Sequence, residues 1–166
     1  AVLGLIVIDA PTVWANDADG YFARATEVHD LFRSHPRIHT AFAPHAPYTV
    51  SDESLRRIDT LAEELDIPVH IHLHETRHEV DQSLADFGKR PIERLRDLGL
   101  LSPRLMAVHM TALSEADIEL TATHGVHVVH CPESNMKLAS GRCPVSDLAG
   151  AGVNLALGTD GAASNN

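Results

Sequence analysis

Short apolar runs alternate along the chain with stretches whose apolar residues recur at helical spacing. The runs at 3–8, 37–43, 67–73, 105–109, 126–130 and 153–157 are predicted to be strands. Between them, 17–34 reads as a helix with Asp17 or Asp19 as a cap. Ser51 is a natural N-cap for a helix carrying Leu55, Ile58, Leu61, Ala62 and Leu65 on one face. Helices are also predicted at 79–87, at 92–98 with Gly99 as the stop, from Ser114-x-x-Asp117 to near His124-Gly125, and at 145–149. Such alternation predicts an α/β fold with a parallel sheet and helical crossovers, either open and doubly wound or closed into a barrel. Neither G-x-G-x-x-G nor G-x-x-x-x-G-K-[ST] occurs, which weakens a nucleotide-binding open sheet. No repeat, low-complexity tract or linker divides the chain.

Polar, titratable residues collect where the apolar runs end. They are His45, then His70, His72, His74 and Glu75, then His109, His130 and Asp160. In a parallel β/α protein these ends share one face, which in barrels carries the active site. In Val69-His70-Ile71-His72-Leu73-His74-Glu75 the histidines alternate with apolar residues and would share one strand face if the strand continued. Imidazole is a common zinc ligand, so a metal is one reason for that clustering; a polar-faced edge strand is the other. Glu75 follows His72 by three, so the two converge only if the strand ends near Leu73 or His74 and the chain turns inward. Leu155-Ala156-Leu157-Gly158-Thr159-Asp160-Gly161 ends an apolar run in a carboxylate bracketed by small residues. His45 between prolines and His130 each have an ordinary alternative, a loop residue and a buried structural histidine. His78 and His124 are expected in solvent, and His29, His35 and His39 carry no signal.

Composition adds exclusions. Among 166 residues, 44% are hydrophobic and 22% charged, as in a globular domain with a real core. No apolar run is long enough to span a bilayer, and the apolar start at 1–8 reads as a buried strand rather than a signal peptide. A net charge of −10 disfavours nucleic acid and anionic lipid as partners. Cys131 and Cys143 form no C-x-x-C pair, and a reducing cytoplasm is the default. The 12 histidines suit metal binding or proton transfer.

These motifs together resemble the amidohydrolase superfamily, and more closely its branch of 5-methylthioadenosine/S-adenosylhomocysteine deaminases and triazine chlorohydrolases. The resemblance is carried by Ala43-Pro44-His45-Ala46-Pro47-Tyr48, His70-Ile71-His72-Leu73-His74-Glu75-Thr76, Val108-His109, the segment 130–138 (His-Cys-Pro-Glu-Ser-Asn-Met-Lys-Leu) and the segment 158–166 (Gly-Thr-Asp-Gly-Ala-Ala-Ser-Asn-Asn). It implies a partial (β/α)8 TIM-type barrel, roughly strands three to eight, and one zinc per subunit, with iron the alternative. His72 and Asp160 match metal ligands. Glu75, His109 and Asp160 match catalytic residues: Glu75 shuttles protons and holds the substrate ring, and His109 sits beside the reacting carbon. His45, with Glu75, His109 and Asp160, matches substrate contacts. The implied reaction is hydrolytic deamination of a nucleoside-type small molecule, turning an adenine moiety into hypoxanthine with release of ammonia.

The family's first-strand His-x-His pair has no match here. The expectation is therefore a fragment of one barrel domain, with the first strands, two metal ligands and the small β-sandwich lying elsewhere. Oligomeric state is open, a homo-oligomer included. The alternatives are a guanine or cytosine deaminase or chlorotriazine hydrolase of the same branch, a non-catalytic metal-binding scaffold, and a Rossmann-type module. The zinc deaminase signature H-x-E with P-C-x-x-C does not fit, because Cys131 precedes Pro132 and no C-x-x-C exists.

Overall fold

The computed structural model describes residues 1–164; Asn165 and Asn166, which close the 158–166 motif, lie outside the described residues. The chain forms two compact units, Ala1–Ile71 and His72–Asn166. The first holds β1 (Val2–Val7), α1 (Ala18–Phe32), β2 (His39–Pro44), α2 (Asp52–Leu65) and the start of β3 (Val69–Leu73). The second holds the end of β3, then α3 (Arg77–Phe87), α4 (Pro91–Asp97), β4 (Leu105–His109), α5 (Glu115–Thr123), β5 (His127–His130), α6 (Pro132–Lys137), α7 (Val145–Gly150) and β6 (Leu155–Leu157).

In the first unit β1 pairs with β2 in parallel, from Val2 opposite His39 to Val7 opposite Pro44, and β2 pairs with β3 at Phe42 and Val69. Asp17 starts α1 by accepting from the Gly20 amide at 2.8 Å. Ser51 starts α2 as the sequence predicts, accepting from the Ser54 amide. Leu55, Ile58 and Ala62 turn one face of α2 inward, and the core adds Tyr21, Phe22, Ala41, Phe42 and Val69.

In the second unit β4, β5 and β6 are parallel neighbours, with Val108 opposite Val129 and His130 opposite Leu157. Its core includes Leu73, Ile92, Leu95, Leu105, Ala107, Val128 and Leu148. Ser114 and Asp117 form a capping box at the start of α5. Asp117, almost fully buried, also accepts from the Arg90 guanidinium at 2.6–2.9 Å. Burial works to raise the Asp117 pKa, but bonds from Arg90 and Ser114 and the nearby His74 outweigh it, so its carboxyl stays below the usual range.

Most expected elements are present with ends shifted by a residue or two. Helix α6 was not expected; it begins at the Cys131-Pro132 step, where proline suits the first helical position. No described helix is long and apolar enough to cross a membrane. Cys131 and Cys143 are both free and buried.

Candidate metal centre

Strand β3 buries Val69, Ile71 and Leu73 and leaves His70 and His72 half-buried on the alternate face. The strand ends at Leu73, and His74 takes a left-handed backbone with φ 50°. That reversal supplies the inward turn that Glu75 needs to reach the side of His72. The condition under which His74 would share the face of His70 and His72, a strand that continues through it, is therefore not met. Its ring is fully buried, with Nδ1 3.0 Å from the Ala112 carbonyl and Nε2 accepting from the Ile92 amide at 3.1 Å. One nitrogen donates and the other accepts, which requires the neutral ring. Burial holds its pKa down at about 4.

His72, His109 and Asp160 each offer a ligand atom, and these atoms lie within 4.8 Å of one another. The rings of His72 and His109 have centroids 5.2 Å apart. His109 ends β4, is 1% exposed and has φ 76°. Its Nδ1 lies 2.8 Å from Asn135 Oδ1, a contact buried from solvent, and its Nε2 faces the Glu75 carboxylate at 3.9 Å. Asp160 follows β6 in the left-handed region, φ 60°. Its Oδ2 accepts from Ser134 Oγ at 2.5 Å and from Ser164 Oγ at 2.9 Å, which leaves Oδ1 free of both hydroxyls. Burial works to raise the Asp160 pKa, but bonds from Ser134, the Gly161 amide and Ser164, with His109 nearby, outweigh it and favour the carboxylate. Glycine is needed at 158, because a Cβ there would stand 2.9 Å from Val129 Cγ1 and 3.0 Å from Cys131 Sγ.

Two imidazoles and an ionised carboxylate around one point form a donor set that suits zinc. Hydroxyls on the ligand carboxylate and an amide on a histidine are the kind of outer support that orients metal ligands. The sequence suggested His72 and Asp160 as ligands and His109 as a catalytic neighbour; the geometry brings His109 within ligand range as well.

Glu75 Oε1 accepts from Ser140 Oγ at 3.2 Å, and its backbone carbonyl accepts from Thr111 Oγ1 at 2.7 Å. His130 ends β5 with a buried Nδ1 that has no protein hydrogen-bond partner. Burial, then the neighbouring His109, lowers the pKa of His130. His45 lies in the first unit, just after β2. Its Nδ1 is 2.9 Å from Thr49 Oγ1, its ring meets Tyr48 edge-on, and its amide donates to the Val7 carbonyl. His29, set aside in the sequence, is buried with Nδ1 2.8 Å from Thr40 Oγ1. His78 is exposed as expected, whereas His124 is half-buried and its Nδ1 contacts the Leu120 carbonyl.

The supporting residues Glu79, Ser134, Asn135, Ser140 and Ser164 were not singled out in the sequence. Ser134 and Asn135 stand inside the 130–138 segment and Ser164 inside the 158–166 segment, and that placement was the signal available in the sequence.

The Amidohydrolase family profile matches residues 2–166. A curated 5-methylthioadenosine/S-adenosylhomocysteine deaminase of Teredinibacter turnerae is 55% identical over 160 residues, 96% of this chain and 36% of its own length. The enzyme of that name from Saccharophagus degradans is 54% identical over 166 residues, 100% of this chain and 37% of its own. The crystal structure of an adenosine deaminase from Xanthomonas campestris with bound zinc shares 61% identity at a TM-score of 0.96, covering 98% of this chain and 37% of that one. This chain thus spans little more than a third of the length of these relatives. Its parallel β/α architecture is that of a partial TIM-type barrel, and the chain belongs to the amidohydrolase family.

Proposed function

We propose that this chain is a fragment of one metal-dependent hydrolase barrel domain that, in the full-length protein, deaminates the adenine moiety of 5-methylthioadenosine or S-adenosylhomocysteine by hydrolysis. The observation that carries this reading is the convergence of His72, His109 and Asp160 within 4.8 Å, with the Glu75 carboxylate 3.9 Å from His109. Family membership and the names of the similar deaminases support it.

In this reading His72 and Asp160 would hold one zinc ion, with further ligands supplied from elsewhere in the full-length protein. When bound, the ion would supply Lewis-acid activation of water. Asp160 takes the proton that the attacking water gives up. Glu75 delivers a proton to the ring nitrogen beside the attacked carbon, so that negative charge does not accumulate there. His109, held at Nδ1 by Asn135, presents Nε2 to orient the nucleophile and steady the tetrahedral centre. The C–N bond breaks as Asp160 passes its proton to the exocyclic amine, which leaves as ammonia, and the remaining hydroxyl proton returns to Glu75 as the ring keeps the oxygen as an oxo group. His45 contacts the nucleoside.

A second reading of His109 has its own support: the spacing of its ligand atom also allows direct binding to the ion. The substrate is a small nucleoside, and the free, buried Cys131 and Cys143 favour a reducing cytoplasm as the setting. Ammonia release by the full-length enzyme from 5-methylthioadenosine, S-adenosylhomocysteine, guanine and a chlorotriazine tests the assignment. Turnover of the first two by at least an order of magnitude over the others is expected. Preference for guanine or chloride release from the triazine would replace it, and no turnover of any with zinc bound would favour an inert scaffold.

A further inference from the structure

We propose that Glu79 is a positioning residue for Glu75, its buried carboxylate gripping the chain just before α3 and thereby fixing where the Glu75 carboxyl points. This rests on the reading of Glu75 as the proton carrier.

Glu79 is 6% exposed, and its two oxygens accept from two successive amides, Oε1 from His74 at 2.9 Å and Oε2 from Glu75 at 2.7 Å. Its own amide donates to the cap residue Thr76 at 3.1 Å. Glu79 is the third residue of α3, the position from which a capping-box glutamate reaches back to the amide of the cap itself. Here the carboxyl meets the Thr76 backbone and also reaches the amides of the two residues before it. The grip therefore acts on the segment that carries Glu75, and holds His74 in its left-handed turn.

The other side of that segment is also fastened. The His74 carbonyl accepts from the amides of Thr111 and Ala112, and the His74 ring bridges the Ala112 carbonyl and the Ile92 amide. Arg90 donates to the same Ala112 carbonyl at 2.9 Å. Thr111 Oγ1 and Ser140 Oγ meet Glu75 at its carbonyl and at Oε1. The Oε2 of Glu75 faces His109 Nε2 at 3.9 Å. Burying a carboxylate is costly, and burial pushes the Glu79 pKa up to about 7. Such a group in a two-amide grip is a device for geometry more than for stability. An ångström of misplacement of a reacting group can cost about 100-fold in rate.

The test is a double-mutant cycle in the full-length zinc enzyme with Glu79→Gln, Glu75→Gln and both. Gln keeps the shape of Glu79 but turns an N–H₂ toward one of the two amides. The expected result is a kcat at least about 10-fold lower in Glu79→Gln, with KM and zinc content near wild type. In the Glu75→Gln background the same change should cost little further, because its effect runs through Glu75. Should Glu79→Gln not fold, Glu79→Asp, which keeps the charge but is too short to reach both amides, enters the same cycle. Unchanged kcat in the Glu79 variant, losses that multiply across the cycle, or a loss that tracks zinc content would overturn the proposal while leaving Glu75 its role. Near-normal turnover in Glu75→Gln would instead remove the reading beneath it, and this inference with it.

Discussion

The Nε2 of His109 and the Oε2 of Glu75 stand 3.9 Å apart, one at the end of β4 and the other just past the end of β3. The gap is too long for a direct hydrogen bond, and in the proposed reaction the carboxyl serves as proton carrier with the imidazole beside it. Replacing Glu75 by Gln in the full-length enzyme should lower kcat by at least about 100-fold, the usual contribution of such a group. Zinc content should not change. A deaminase assay and metal analysis of the same preparation check both, and wild-type turnover would remove the role.

Ser134 is fully buried and donates to Asp160 Oδ2 at 2.5 Å. Ser134→Ala takes away one of the two hydroxyls that orient the carboxylate. Zinc affinity should fall about 10- to 100-fold, as for other outer-shell changes. Chelator competition measures it, and an unchanged dissociation constant would show that Ser134 does not support the ligand.

Glu79 makes a pH-dependent contribution whose sign is fixed by burial, which raises its pKa from 4.5 to about 7. A carboxyl with a raised folded-state pKa binds its proton more tightly in the native state. Its contribution is full below pH 4.5 and is lost as pH rises through about 7. Against Glu79→Gln, which does not titrate, wild-type stability should decline by roughly 3 kcal/mol between about pH 4.5 and pH 8. Denaturant unfolding of the two proteins across that range checks this; a constant difference would contradict it.

Gly141 has φ 136°, and a Cβ there would lie 2.7 Å from Thr111 Oγ1. Gly141→Ala should cost about 1–3 kcal/mol from backbone strain alone. It should also disturb the neighbouring Ser140 hydroxyl that meets Glu75. Stability and kcat should therefore fall together, and a variant with wild-type melting behaviour would show the loop to be more yielding than its geometry implies.

Much of this architecture was legible in the chain because its signals are local. The Ser51 cap, the helix start at Ser114-x-x-Asp117 and the stripe Leu55-Ile58-Leu61-Ala62-Leu65 each act within a few turns. The cap and the start are found where expected, and of the stripe Leu55, Ile58 and Ala62 are buried while Leu61 and Leu65 are half-buried. His72, His109 and Asp160 were recognisable because each stands at or just beyond the end of an apolar run. Beyond the inward turn required near Leu73 or His74, what could not be read was the bonding that fixes the chain as it leaves those runs. His74 continues the His-x-His alternation in sequence, yet a left-handed backbone and two non-local bonds, to Ala112 and Ile92, take its ring off the strand face. Helix α6 is short and polar, so periodicity gives it no signature, yet it brings Ser134 and Asn135 to Asp160 and His109. Glu79 resembles an ordinary capping glutamate in the sequence; only its bonds to His74 and Glu75 set it apart.

The most direct measurement of the central claim is a crystal structure of the full-length protein with zinc, using anomalous scattering at the zinc edge. The account predicts one strong peak about 2.0–2.2 Å from a ring nitrogen of His72 and from a carboxylate oxygen of Asp160. A peak that meets neither residue, or no peak in zinc-supplied crystals, would contradict it.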